Sequence, residues 1–299
     1  MTTPRHAWIW WILGLLATSQ SGNIIRLGHA SPAAITAWRL GFAVLLLVPF
    51  AWPGLGQLRR LKPRHWALLG VAGAGLATHW FAWIAAVQQG TVANAAVFFS
   101  VNPVLIATVG FLFFKERVGL RLWLSIGLGI TGVVVIGGAD LRFSPGVVTG
   151  DLYALLSAAL FAVYFLSGKV LRQHLDGGVY VWVLYGVAGV VAFAVLLGTG
   201  EPVVSYDGQT WLTFALMAGV PTLLGHTGLN IALRYFPVSR ISVSTLSEPI
   251  LAGLVAWTVW SEPITPQTAI GYVLISLSVV FLVLAKGNGA ARQASGEPG

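Results

Sequence analysis

The sequence predicts an all-α membrane protein: ten transmembrane helices arranged as two inverted five-helix repeats around a central cavity. Three observations predict it. The chain is 57% hydrophobic and only 9% charged, with a mean hydropathy of +0.82, against roughly 25% charged residues in a soluble domain. Ten apolar segments run along it, each near the ~20 residues a helix needs to cross hydrocarbon. The segments also repeat at an offset of about 146 positions: Ser21, Gly22 and Arg26 recur as Ser167, Gly168 and Arg172, Pro103 as Pro249, and Glu116 as Glu262. Five is odd, so the two halves enter the bilayer from opposite sides.

The first segment, about residues 6–27, begins after Arg5 and has the outline of a secretory signal. Its apolar run continues to about Leu27 without an A-x-A cleavage site and pairs with the sixth segment, so it is read as a retained helix. The first repeat continues through about 32–52, 65–87, 93–114 and 121–139, the second through about 148–171, 178–199, 210–232, 240–260 and 266–286. This divides the chain at 1–147 and 148–299, the second part ending in a short tail. A β-barrel would show short alternating strands instead. Connections are a few residues long except for a basic stretch around Arg59 to Arg64, so any activity sits inside the bundle.

Within the segments, prolines and small residues set the shape. Pro103 and Pro249 each remove a backbone hydrogen bond mid-helix, and as repeat mates they predict bent fourth and ninth helices flanking a central site; Pro221 predicts a third kink. Small residues at four-residue spacing predict close helix contacts: Gly14, Thr18 and Gly22, then Ser125 and Gly129, then Ala252 and Ala256.

Charge placement orients the chain. The net charge is +8, but with the N-terminus inside, fourteen of the seventeen Lys and Arg fall in inner loops and tails, leaving Arg26 and Arg142 outside and Arg39 within the second span. Asp140, Asp151, Glu201, Asp207 and Glu262 lie on the outer side. This positive-inside bias places both termini in the cytoplasm. The basic loops read as topology signals and anionic-lipid contacts, not as a nucleic-acid surface. Zero cysteines exclude disulfides, thiol chemistry and Cys-ligated zinc.

Strongly polar groups at bilayer depth mark pathways or structural pairs. In helix three, Gly75, His79 and Trp83 share a face; in helix four, Asn94, Phe98 and Asn102 form a similar stripe beside the Pro103 kink. His226 and Asn230 repeat the spacing in helix eight, and two histidines facing across a pseudo-symmetry axis suit proton relay as well as plain hydrogen bonding. Gln20 and Asn23 in helix one, Tyr164 and Lys169 in helix six, Arg39 in helix two and Glu248 in helix nine complete the set. Arg39 and Glu248 are the deepest charges, and an internal salt bridge between them would gate or fix one conformation. No metal is expected, because neither histidine has a second ligand at the right spacing.

Two five-helix halves, short loops, the Asn102-Pro103 and Glu248-Pro249 kinks, and the acid after each repeat's fourth helix (Lys115-Glu116-Arg117 and Ser261-Glu262-Pro263) resemble the EamA-type drug/metabolite transporter superfamily over essentially residues 6–286. Within it the chain resembles the bacterial aromatic amino-acid exporter branch, YddG-like. The resemblance implies an inner-membrane transporter, not an enzyme, that exports amino acids without a cofactor, as a monomer in the lipid bilayer. Small multidrug members carry a membrane Glu in the first helix where this chain offers only Gln20, so proton antiport does not carry over and uniport is expected.

The expected mechanism binds an amino acid through Asn102, His79 and kinked backbone, with its side chain against Trp83 and Phe98, while Tyr164, Gln20, His226 and Asn230 complete the pocket and Glu248, Arg39 and Lys169 serve gating or proton coupling. The competing expectation is an exporter of drugs, nucleosides or other metabolites by proton antiport. A membrane transferase would need clustered acids or a His-Asp pair at the membrane face, and the loops show none.

Overall fold

The structure, a computed structural model, describes residues 4–89, 92–114, 119–138 and 145–284; the side chains of 92–94, 114 and 145–147 also lie outside the description. Glu116 and Asn94's side chain are therefore not placed.

The helices follow the ten segments in order. α1 (Arg5–Thr18) and α2 (Ser21–Ile25) form the first, α3 (Pro32–Ala51) the second and α4 (Pro63–Gln89) the third. The fourth is α5 (Val92–Phe99) with α6 (Asn102–Phe114), and the fifth is α7 (Leu120–Gly137). The second half runs α8 (Pro145–Leu171), α9 (Gly177–Thr199), then α10 (Gly208–Met217) leading through a π-helical stretch, Ala218–His226, into α11 (Thr227–Ala232). It ends with α12 (Val238–Ser244), a 3₁₀ turn at Thr245–Ser247, α13 (Glu248–Val259) and α14 (Pro266–Leu284). Among the described residues nine helical stretches are long and apolar enough to cross a membrane, the first segment being interrupted at Ser19 and Gln20. The basic stretch expected as a loop is a 3₁₀ helix over Trp52–Arg60.

Local chemistry explains the ends and breaks. Ser31 caps α3 by accepting from the Ala34 amide (3.2 Å), with Pro32 at the first helical position where no amide partner is needed. The fourth and ninth segments break just before Pro103 and Pro249, and α6 and α13 restart at repeat-equivalent residues, Asn102 and Glu248. Hydroxyls take carbonyls left over at these breaks: Ser100 donates to Val97 O (2.6 Å) and Ser247 to Ser244 O (2.7 Å). Pro221 is absorbed differently, by widening the helix to a π turn. There Thr222 Oγ1 reaches back five residues to Met217 O (2.7 Å), and Thr227 Oγ1 does the same to Thr222 O (3.2 Å).

Packing shows the pseudo-two-fold. α3 packs on its mate α9, and α7 on its mate α14; α4 on α8 and α1 on the π stretch and α11 are exchanged by the repeat. In lipid the helices have no hydrophobic drive to associate, so close approach through small residues does the work. A Cβ on Gly228 would stand 2.7 Å from the Trp10 carbonyl oxygen, and one on Gly132 2.8 Å from the Gly271 carbonyl oxygen. Ser125 and Ser278 exchange Oγ-to-carbonyl bonds of 2.7 Å across α7 and α14. Of the small-residue stripes, Gly14, Ser125 and Gly129 lie at helix contacts, Gly22, Ala252 and Ala256 line the central cavity, and Thr18 does both.

Candidate functional site

A central cavity of about 600 Å³ opens between the two repeats. Residues of α1, α2, α4, α5 and α13 wall it, and it reaches the end of the bundle where Arg26 of one repeat and Glu262 of the other form an ion pair. The opposite end is packed shut. There Trp11 Nε1 donates to Ser244 Oγ (2.8 Å), and the rings of Trp8 and Trp11 stand 4.6 and 4.5 Å from Phe236.

One wall is aromatic. His79 stacks near Phe99 (5.8 Å between ring centroids) and Phe161 (5.1 Å), and Trp83 stands 5.3 Å from Phe99. Trp80 and His226 meet at 5.0 Å, with Trp80 Nε1 donating to His226 Nε2 (3.2 Å). An indole N–H only donates, so Nε2 of His226 accepts and its proton sits on Nδ1, which lies 3.4 Å from the Tyr164 hydroxyl. His79 Nδ1 faces Ser157, 2.8 Å from its hydroxyl and 3.0 Å from its carbonyl oxygen. The two histidine rings are 6.2 Å apart.

The ionisable groups in the wall are held separately. Arg39, on α3, is 1% exposed; its Nε donates to Thr222 Oγ1 (3.0 Å) and its guanidinium carbon stands 3.6 Å over the Trp80 ring. Glu248 accepts from Thr18 Oγ1 (2.8 Å) at the start of α13. The expected salt bridge between Arg39 and Glu248 is not formed, and Arg39 enters no ion pair among the described residues. Each charge meets neutral partners of its own, Thr222 and Trp80 for Arg39 and Thr18 for Glu248.

Of the residues singled out from sequence, His79, Trp83, His226, Arg39, Glu248, Pro103 and Pro249 line the cavity, and Asn102, Phe98, Tyr164, Gln20, Asn230, Lys169 and Pro221 do not. Asn102 is fully buried as a cross-link: its Nδ2 donates to Ala158 O (2.9 Å) and its Oδ1 accepts from Ser242 Oγ (2.9 Å), tying α6 to α8 and α12. Phe98 packs against Ala86, Ala95 and Ala154, and Phe99, the next residue and about 100° around the helix, faces the cavity instead. Tyr164 and Asn230 form a layer behind His226, Asn230 Nδ2 donating to the Tyr164 hydroxyl (2.9 Å) and His226 O (2.8 Å). Gln20 orients Asn23, which lines the cavity, by accepting from its Nδ2 (2.9 Å). Lys169 lies in the last turn of α8, away from the cavity.

Sequence reasoning missed Trp80, Thr18, Phe99 and Phe161. A signal for Trp80 existed: it is the position 146 residues before His226.

Comparison with known proteins places this arrangement. The EamA-like transporter family matches residues 6–138 and again 148–284. An uncharacterized transporter of Archaeoglobus fulgidus is 27% identical over 251 residues, covering 83% of this chain and 85% of that protein. Protein RarD of Salmonella typhimurium is 27% identical over 254 residues, covering 83% and 82%. One solved crystal structure superposes with a TM-score of 0.78 at 21% identity, covering 93% of this chain and 96% of that one, a likeness of fold.

Proposed function

The chain belongs to the EamA-like transporter family, and we propose that it exports amino acids, aromatic and other large neutral ones with broad specificity, by alternating access. One observation carries the reading: a cavity of about 600 Å³ between inverted repeats, with an aromatic wall and both an arginine and a glutamate in its lining. Such a lining suits a molecule with an apolar side chain and two charged ends. The positive-inside distribution supports a reading with both termini in the cytoplasm, and the membrane in this reading is a bacterial inner membrane. The Arg26 end of the cavity then faces outward, and the packed Trp11, Ser244 and Phe236 end faces the cytoplasm.

In this reading the side chain lies against Trp80, Trp83, Phe99 and Phe161, the roles first expected of Trp83 and Phe98. Asn102 acts at a distance, as a closure between α6 and α12. Rocking of one repeat on the other moves the seal from the cytoplasmic to the outer end. The cavity is built within one chain, which is the transporting unit.

Uniport is the primary mode. The hydrogen bond between Thr18 and Glu248 inside the cavity favours, as the second reading, export of drugs, nucleosides or other metabolites by proton antiport. Counterflow of radiolabelled phenylalanine into proteoliposomes preloaded with unlabelled amino acids, with and without a pH gradient, separates these. Accumulation independent of the gradient supports amino-acid uniport. Accumulation only with a gradient moves the coupling to Glu248, and none in either condition refutes amino-acid export.

A further inference from the structure

We propose that Arg39 anchors a carboxylate of the transported molecule, so that the cavity admits carboxylate-bearing ligands and discriminates against amines of the same shape. The inference rests on the cavity being the substrate path and adds the chemical class that it selects.

The argument starts from the cost of the side chain. A guanidinium keeps its charge at any physiological pH and offers five N–H donors in one plane. Burying such a charge is unfavourable unless an anion or a set of acceptors meets it. Arg39 is 1% exposed, yet one donor, Nε, has a neutral partner in Thr222 Oγ1, and Nη2 has no hydrogen-bond partner among the described residues. Thr222 Oγ1 is itself committed as a donor to Met217 O, so it serves as a positioning group and not as a counter-ion.

The surrounding groups do not neutralise it. Glu248, the acid in the same cavity wall, is held by Thr18 and forms no ion pair with Arg39. His226 Nε2 accepts from Trp80 and His79 Nδ1 faces the Ser157 carbonyl oxygen, and neither ring supplies an anion. The Tyr185 hydroxyl is hydrogen-bonded with Thr222 O (3.3 Å) and Thr227 Oγ1 (3.1 Å). What the site does supply is orientation: Trp80 lies 3.6 Å beneath the guanidinium carbon, and Trp80 is fixed in turn by its bond to His226. A stacked guanidinium with a free edge is the geometry that receives a carboxylate through paired N–H···O bonds, and a lysine ammonium does not reproduce it. Arg39 lines the cavity, and its buried Nη2, without a hydrogen-bond partner among the described residues, is the donor left for a carboxylate there.

The test compares three ligands that share a phenyl ring: 3-phenylpropionate, with the carboxylate alone; phenethylamine, with the ammonium alone; and phenylalanine. Each is titrated into purified native protein and into Arg39→Gln, with thermal shift as the readout. In the native protein, 3-phenylpropionate and phenylalanine are expected to bind at least tenfold more tightly than phenethylamine. Arg39→Gln abolishes that preference while leaving phenethylamine unchanged, and Arg39→Lys restores it only in part. Because the substitution removes a charge without an anionic partner, ligand-free Arg39→Gln melts no lower than the native protein.

Equal binding of phenethylamine and 3-phenylpropionate by the native protein overturns the proposal, a result that needs no variant to fold. A preserved carboxylate preference in Arg39→Gln overturns it too, as does a ligand-free variant that melts well below the native protein, which would make Arg39 a structural support. If 3-phenylpropionate binds in an Arg39-dependent way while phenylalanine counterflow is absent, the anchor stands and the amino-acid reading falls.

Discussion

Trp80 and His226 occupy equivalent positions of the two repeats, 146 residues apart, and touch each other across the pseudo-two-fold with Trp80 Nε1 3.2 Å from His226 Nε2. The repeat axis therefore passes between these two rings, at the wall of the cavity. Since His226 accepts this bond, protonating it would break the contact. Trp80→Phe and His226→Phe each remove one partner and strand the other in a buried place, so each lowers the melting temperature. A buried hydrogen bond is worth about 1 kcal/mol. The double variant is expected to be less unstable than the sum of the singles by about that amount; strict additivity in a double-mutant cycle would show that the contact carries no energy.

The crossing of α1 and α11 depends on Gly228, whose added Cβ would meet the Trp10 carbonyl oxygen at 2.7 Å, whereas a Cβ on Gly127 meets nothing within 4 Å. Gly228→Ala forces two backbones apart and costs about 1–3 kcal/mol. Gly127→Ala leaves stability unchanged or slightly raised, since alanine favours helix. Thermal unfolding of the two variants in detergent checks the contrast.

Asn102 sits in the closed half, bonded to Ala158 and Ser242, while its repeat mate Glu248 sits in the open half, bonded to Thr18. Asn102→Ala leaves the Ala158 carbonyl and the Ser242 hydroxyl without this partner and loosens the seal between α6 and α12. Counterflow of glycine, leucine and phenylalanine is expected to fall by the same factor, because the residue touches none of them. A loss confined to phenylalanine would place Asn102 in the pocket after all.

Outside the membrane, Asp207 caps α10 by accepting from the Thr210 amide (2.7 Å) and hydroxyl (3.1 Å), and the amide bond holds its carboxyl below the ordinary carboxylate range. A depressed acid contributes stability above its unfolded pKa, near ~3.9, and loses it as pH falls through the folded value. Melting curves between neutrality and about pH 3 should therefore fall more steeply for the native protein than for Asp207→Asn, which keeps a capping oxygen without titrating. Parallel curves would remove the cap from the pH response.

How much of this was legible in sequence follows from which forces act locally. The ten spans, the repeat and the paired breaks at Pro103 and Pro249 come from composition and from a missing amide, and both are written in the residue itself. The side of a helix that faces the cavity is not. Phe98 and Phe99 are equivalent by composition, and the break at Ser100 and Val101 sets which one turns inward. Asn102 and Glu248 are equivalent by repeat, and the asymmetry of one conformational state buries the first and leaves the second in the cavity wall. Arg39 and Glu248 are opposite charges at similar depth, yet α1 and the π stretch of the eighth segment supply each with its own neutral partner.

The most direct measurement uses the absence of native cysteine. A single cysteine at Ala252, in the cavity wall, is probed with a membrane-impermeant maleimide from each side of right-side-out and inverted vesicles, with and without phenylalanine. The account predicts labelling from the outer side and slowing of that labelling by phenylalanine. Labelling that ignores phenylalanine at every concentration, or no labelling from the outer side, would contradict it.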